Sequence, residues 1–206
     1  MSPDPAYRGL LVDWGGVLTS NVFDSFRAFC DGEGLSPDEV GTRFRHDREV
    51  RQLLIDLETG ELEESDFQIG FGAALGVPAD GLIDRLFGGV HVDEEMIGAV
   101  RRARERGIRT GLISNSWGTR RYDRALLAEL FDGIVLSGEE GMRKPTPAIY
   151  ELGAERIGVP AASCVFVDDL PFNLQPAAEL GMATVHHVES ARTVAELERV
   201  FGLALR

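Results

Sequence analysis

The sequence predicts an α/β protein, an open parallel sheet flanked by helices with an all-helical segment inserted after the first strand. Three observations carry this expectation. Short apolar runs recur at 10–12, 110–113, 134–136, 164–167 and 183–188. Helical patterns with recognisable starts and stops separate the later runs. The interval 21–92 contains no clear strand.

The runs are rich in Val, Ile and Leu, bounded by turn residues or charge, and read as strands buried on both faces of a parallel sheet. After the first, the interval 21–92 opens with Ser36-Pro37-Asp38-Glu39, a capping box with proline at the first helical position, and continues with a second box, Ser65-Asp66-Phe67-Gln68. Gly34, Gly60 and Gly76 are expected helix ends. Roughly seventy residues far exceed the dozen or so that one crossover needs. The expected division is therefore a core of residues 1–20 plus 93–206 and a helical unit of 21–92. Beyond it, a helix over 94–106 stops at Gly107, Thr146 caps a helix through Pro147 to Arg156 before Gly158, and 174–180 stops at Gly181. Strands alternating with helices imply right-handed crossovers and a three-layer arrangement.

Composition narrows the function. Of 206 residues, 21 are Lys or Arg and 34 are Asp or Glu, giving a net charge of -13. So acidic a chain repels nucleic acid and anionic lipid, and neither is an expected partner. The longest stretch without a charge is 67–79, too short to span a bilayer, which takes about 20 residues. Residues 1–8 lack a basic region followed by an apolar core, so no secretory signal is expected. Two cysteines, Cys30 and Cys164, point to a reducing, cytoplasmic setting.

In an open parallel sheet, ligands bind beyond the carboxyl ends of the strands. Asp13-Trp14-Gly15-Gly16 follows the first run, Ser114-Asn115-Ser116 the second, and Asp168-Asp169 the fourth, with Asn173 shortly after. The loop after the third leads to Lys144-Pro145, and Lys144 is the sole lysine beside twenty arginines. Asparagine occurs only at positions 21, 115 and 173, two of them in these loops. Asp13, Asp168 and Asp169 would repel one another unless compensated, and Mg2+ favours such carboxylates together with water and phosphate oxygens. Lys144 adds a second positive point, Ser114 and the Asn115 backbone offer hydrogen bonds, and Gly15 and Gly16 permit a close turn. Positioning and charge neutralisation of this kind suit phosphoryl transfer, with one carboxylate free to attack.

With these motifs in this order, the sequence resembles the haloacid dehalogenase-like (HAD) hydrolase superfamily. Residues 11–18, 112–115, Lys144-Pro145 with Ile149-Tyr150, and 167–173 resemble its four motifs. The resemblance implies a Rossmann-like core with a helical cap at 21–92 and a Mg2+-dependent phosphatase acting on a small phosphorylated metabolite. It implies Asp13 as nucleophile and metal ligand, and Gly15 (through its carbonyl), Asp168 and Asp169 as further metal ligands. Ser114 and Asn115 would hold the phosphoryl oxygens, with the Trp14 backbone N–H beside them. Lys144 would bridge nucleophile and phosphoryl group, and Asn173 would brace the fourth loop. The sequence departs from the family at Gly15, where most of its phosphatases carry a second aspartate that protonates the leaving group.

His46 and Asp47, in a dense polar cluster, are candidate replacements, although a solvated helix face is the expectation for such a run. Trp117, Arg120 and Arg121 either guide an anion into the site or lie on an exposed helix, with the second expected, and one of His186 and His187 is expected to point inward. Two other functions share these residues: a metal-free 2-haloacid dehalogenase, which has no need of Asp168-Asp169, and a non-catalytic phospho-ligand-binding module.

Overall fold

The computed structural model describes residues 7–206. The first six residues of the expected core lie outside the described residues. Five strands form one sheet: β1 (Gly9–Val12), β2 (Arg109–Ser114), β3 (Gly133–Leu136), β4 (Cys164–Asp168) and β5 (Ala183–His186). The order is β3-β2-β1-β4-β5, with every pairing parallel. The chain builds outward from β1 in one direction to β3, then returns to place β4 on the other side of β1. This reversal of strand order is where α/β sheets open a crevice for ligands.

Between β1 and β2 run α1 (Val22–Gly32), α2 (Glu39–His46), α3 (Arg48–Glu58), α4 (Glu64–Leu75), α5 (Leu82–Leu86) and α6 (Glu94–Glu105). The remaining helices are α7 (Arg124–Leu130), α8 (Ser137–Glu140), α9 (Pro147–Arg156), α10 (Pro171–Glu179) and α11 (Ser190–Phe201). Strand alternation divides the core. Leu10 and Val12 face a cluster with Met96, Leu127 and Leu197 from α6, α7 and α11, while Leu11 faces Tyr150 and Ala177 from α9 and α10. Both faces of β1 are fully buried, as a sheet covered by helices requires.

A third apolar cluster lies within α1–α5 and includes Phe26, Val50, Phe67, Phe71 and Leu82. The chain leaves the sheet layers and returns to them side by side: Thr19 and Val92 form an antiparallel bridge, and the Ser20 N–H donates to the His91 carbonyl at 2.8 Å. Among the described residues no helix is long and apolar enough to cross a membrane.

The two expected capping boxes do not form. The helix expected at Ser36 begins only at Glu39, whose carboxylate pairs with Arg43 at 2.9 Å instead of reaching back to the Ser36 N–H. Ser65 lies inside α4, and Gln68 accepts from the Ile83 N–H at 3.2 Å rather than reaching back to a cap. The long-range bond to Ile83 wins over the local one. Gly34, Gly60 and Gly76 do take the left-handed conformation at helix ends.

Candidate active site

The loops at the carboxyl ends of the strands converge. Asp13 follows β1 directly, and its N–H donates to the Val167 carbonyl of β4 at 3.0 Å, so it stands at the centre of the sheet's upper edge. The chain then turns at Gly16, which has φ +76°, and a Cβ there would collide with the Asp169 carboxylate. Only glycine meets both demands. β4 ends in Asp168, which is wholly buried, and carboxylate oxygens of Asp13, Asp168 and Asp169 lie within 4.8 Å of one another.

Lys144 reaches into this cluster from the loop between α8 and α9. Its Nζ lies 2.8 Å from Asp13 Oδ1 and 2.7 Å from Asp168 Oδ2, and the residue is 1% exposed. Asn115 fixes it in place: the Lys144 N–H donates to Asn115 Oδ1 at 2.8 Å, and Asn115 Nδ2 donates to the Lys144 carbonyl at 3.1 Å. The Asn115 side chain is thus committed largely to the lysine backbone. Ser114 ends β2, and its Oγ shares a 2.9 Å hydrogen bond with Tyr122 Oη.

Asp168 is committed to the protein. One oxygen meets Lys144, and the other accepts from the Leu170 N–H at 2.9 Å and from Asn173 Nδ2 at 3.0 Å. Asn173 is 2% exposed, and its Oδ1 has no partner. His186 bonds the Asp169 carbonyl through Nε2 at 3.1 Å, while His187 is the inward-facing member of the pair, beside Thr193.

The electrostatics follow from burial. Desolvation pushes the Asp13 carboxyl up to about 6, against the pull of the Lys144 ammonium. Asp169 is raised to about 7 by burial, then by the charges of Asp13 and Asp168. Burial alone would lower Lys144, but Asp13 and Asp168 outweigh it and hold the ammonium above its ordinary range. Three crowded carboxylates with one ammonium leave negative charge uncompensated. A hard divalent cation fits this set of oxygen donors, with Asp13 and Asp169 the freer of the three to bind it.

Sequence reasoning missed Glu58, at the end of α3. It is 5% exposed, takes an ion-pair contact from Arg143 Nε at 2.5 Å, and accepts from Trp117 Nε1 at 3.2 Å and Asn115 Nδ2 at 3.4 Å. Burial raises its carboxyl to about 7, although Arg143 pulls the other way. Its own carbonyl accepts from Ser137 Oγ at 2.5 Å. Gly60 passes so close to the Gly138 backbone that no side chain fits between them. Glu58 thus joins the helical layer to the loops that carry Asn115 and Lys144.

Of the other positions singled out in the sequence, one resolves differently. Trp117 is not on an exposed helix. It packs among Phe26, Phe44, Phe67 and Phe87 with ring centroids 5.2–5.7 Å away. Arg120 and Arg121 are exposed on the short 3-10 helix Thr119–Arg121, as expected, and Arg121 pairs with Asp84 and Glu64. His46 is exposed, and Asp47 caps α3 by accepting from the Glu49 and Val50 N–H groups, so the candidate acid pair faces away from the cluster. The Trp14 side chain packs edge-on against Tyr122. Above the carboxylates, between the sheet edge and α1–α5, lies a cavity of about 390 Å³ lined by Asp13, Ser114, Lys144 and Asp169 below and by aromatic residues above.

Comparison with known proteins places this geometry in a family. Over 118 residues the chain is 30% identical to rat bifunctional epoxide hydrolase 2, a match covering 54% of this chain and 21% of that protein. The chain therefore corresponds to only part of that relative. It is 29% identical over 202 residues to a sesquiterpene phosphatase of Aspergillus oryzae, covering 95% and 97% of the two chains. A HAD family enzyme of Bacteroides thetaiotaomicron, solved with magnesium and inorganic phosphate, shares the fold at a TM-score of 0.64 and 22% identity, covering 88% of this chain and 94% of that one. Residues 7–181 match the model of the haloacid dehalogenase-like hydrolases, and the chain belongs to that family.

Proposed function

We propose that the protein is a Mg2+-dependent phosphatase that cleaves a small phosphomonoester through an aspartyl-phosphate on Asp13. The carrying observation is Lys144 Nζ between Asp13 and Asp168 at 2.8 and 2.7 Å, beside the unengaged Asp169. Asp13 attacks phosphorus, the ester P–O bond breaks, and the alcohol oxygen leaves with the bonding pair and takes its proton from solvent. Water then attacks the acyl phosphate, frees inorganic phosphate and restores the carboxylate. Ser114 and the backbone N–H groups of the first loop hold the phosphoryl oxygens. Lys144 neutralises charge on Asp13 and the transferred group, and Asn115 keeps Lys144 aimed. Asp13, Asp169 and the Gly15 carbonyl would hold Mg2+, with Asp168 and Asn173 bracing the set from behind. The ion supplies charge neutralisation for the phosphoryl group and its leaving oxygen. Helices α1–α5, within residues 21–92, act as the cap that shields the site from water.

Relatives support phosphoryl chemistry more than any one substrate. One is named a sesquiterpene phosphatase, and another, from Methanocaldococcus jannaschii, a glyceraldehyde 3-phosphate phosphatase. The metal-free dehalogenase reading is disfavoured because the uncompensated carboxylates would repel a haloacid. The test is phosphate release from p-nitrophenyl phosphate: it should require Mg2+, stop with EDTA and be lost in Asp13→Asn. Full turnover in Asp13→Asn would remove the mechanism, and chloride release from a haloacid in the presence of EDTA would restore the dehalogenase reading.

A further inference from the structure

We infer that the cavity above the carboxylate floor holds the hydrocarbon part of an apolar phosphomonoester, rather than a sugar or other polyol phosphate. This inference deepens the phosphatase reading and rests on it for the phosphoryl end. The walls are Phe23, Phe26, Phe44, Leu54 and Phe87 from the helical layer, with Trp117 from the loop after β2. Phe44, Leu54, Phe87 and Trp117 are only partly buried by protein, and all four line this space.

Polar groups on the upper walls are matched except for the Arg143 guanidinium, which meets Glu58 as an ion pair but makes no hydrogen bond through Nε. Glu58 is taken by Arg143, Trp117 and Asn115, Asn115 is taken by the Lys144 backbone, and Arg45 at the rim pairs with Asp38. The one orphaned acceptor, Asn173 Oδ1, belongs to the floor. Hydroxyl groups entering the upper cavity would give up water and find Arg143 as their single unsatisfied partner, too few for a polyol. An alkyl or isoprenoid chain gives up nothing polar and gains aromatic contact.

The mouth points the same way. Five large hydrophobic side chains are exposed among the described residues, and two of them, Phe23 at 39% and Phe172 at 55%, line this cavity from opposite sides, one on α1 and one on α10. Apolar groups left in water beside a charged floor mark a surface that a ligand covers. Size sets the scale: at roughly 30 Å³ per water-sized group, about 390 Å³ holds about 13 non-hydrogen groups, of which a phosphoryl group takes about five. About eight carbons fit inside, and a longer chain would lie across Phe23 and Phe172.

The experiment measures binding of n-alkylphosphonates, from methyl to decyl, to the full chain in Mg2+ by calorimetry, with inorganic phosphate as competitor. Affinity should rise about fourfold per methylene, the effect of burying one CH2, and level off near about eight carbons. A flat series overturns the inference. In parallel, n-octyl phosphate and glycerol 1-phosphate, both esters of primary alcohols, are compared as substrates. The expected ratio of kcat/KM is at least about 10²-fold in favour of the octyl ester, the scale on which an apolar pocket rejects added hydroxyls. Equal or reversed values overturn the inference while leaving the phosphatase reading intact. A rising phosphonate series with no phosphate release from octyl or p-nitrophenyl phosphate would sink the phosphatase reading and leave the assignment of the cavity standing.

Discussion

The floor and the roof of one cavity are built on opposite rules. Below, four charged groups crowd together at the end of the sheet, Asp13, Asp168 and Lys144 buried and Asp169 partly so. Above, α1–α5 and Trp117 present rings and aliphatic chains, with a single buried carboxylate, Glu58, at the seam. In the floor Lys144 ties Asp13 to Asp168, and Asp168 is held further by the Leu170 N–H and Asn173, which leaves Asp169 unengaged. The roof adheres through packing and a few polar ties, and the chain enters and leaves it by one paired crossing at Thr19 and Val92. The lesson is a division of labour in which fixed dipoles and charges do chemistry on one side and apolar surface selects on the other.

The sharpest break of that contrast is Lys144→Ala. Removing the ammonium should lower kcat by about 10³-fold, the upper range for losing one preorganised electrostatic group. It should also cost the metal-free protein about 3 kcal/mol by urea unfolding, because two buried carboxylates lose their partner. A variant of near-normal rate would move the chemistry away from this floor.

Next in size is the dependence on leaving group. Gly15 offers no acid, and Glu58 is engaged by three donors. Aryl phosphates should therefore exceed alkyl phosphates in kcat by about 10²-fold or more, the usual worth of general acid help. Rates independent of leaving-group pKa would assign the proton to a group in the roof, with Glu58→Gln as the first variant to test.

Floor and seam share a pH response. Asp13 is raised to about 6, and Asp169 and Glu58 to about 7, all above their unfolded values. Groups shifted in this direction favour folding when protonated, so the stability they lend is complete below about pH 4 and is lost as pH rises through 6 to 7. The Tm of metal-free protein should fall between pH 5 and about pH 8. The Tm gain from Mg2+ should grow over the same range, since the cation binds the ionised carboxylates. A Mg2+ effect equal at both pH values would contradict the donor set. The smallest effect belongs to the mouth: Phe172→Gln should weaken n-octylphosphonate binding about three- to tenfold by calorimetry, since part of one apolar contact is removed.

The two halves of the cavity also differ in how far the sequence exposes them. The strands are visible because the central ones are buried on both faces, leaving short runs of Val, Leu and Ile that end abruptly in unusual residues. Asp13, Ser114 and Asp168-Asp169 stand immediately at those ends, and Lys144 is conspicuous as the only lysine. The roof gives no such punctuation. Trp117 follows the second motif and looks like any surface residue until the helices fold over it. Glu58 is one of 34 acidic residues, yet it continues the apolar stripe of Val50, Leu54 and Leu57 along α3, and a charge on a buried stripe is the signal that could have singled it out. Neither capping box formed because the returning side chains have other partners: Glu39 pairs with Arg43 one turn on, and Gln68 accepts from the Ile83 N–H.

The most direct test of the central claim is to quench the Mg2+-loaded enzyme in acid during turnover of p-nitrophenyl phosphate and map the label by mass spectrometry. One phosphoryl group on the peptide bearing Asp13, absent in Asp13→Asn, is the expected result. Phosphate release with no label on that peptide, or with the label on another residue, would contradict the account.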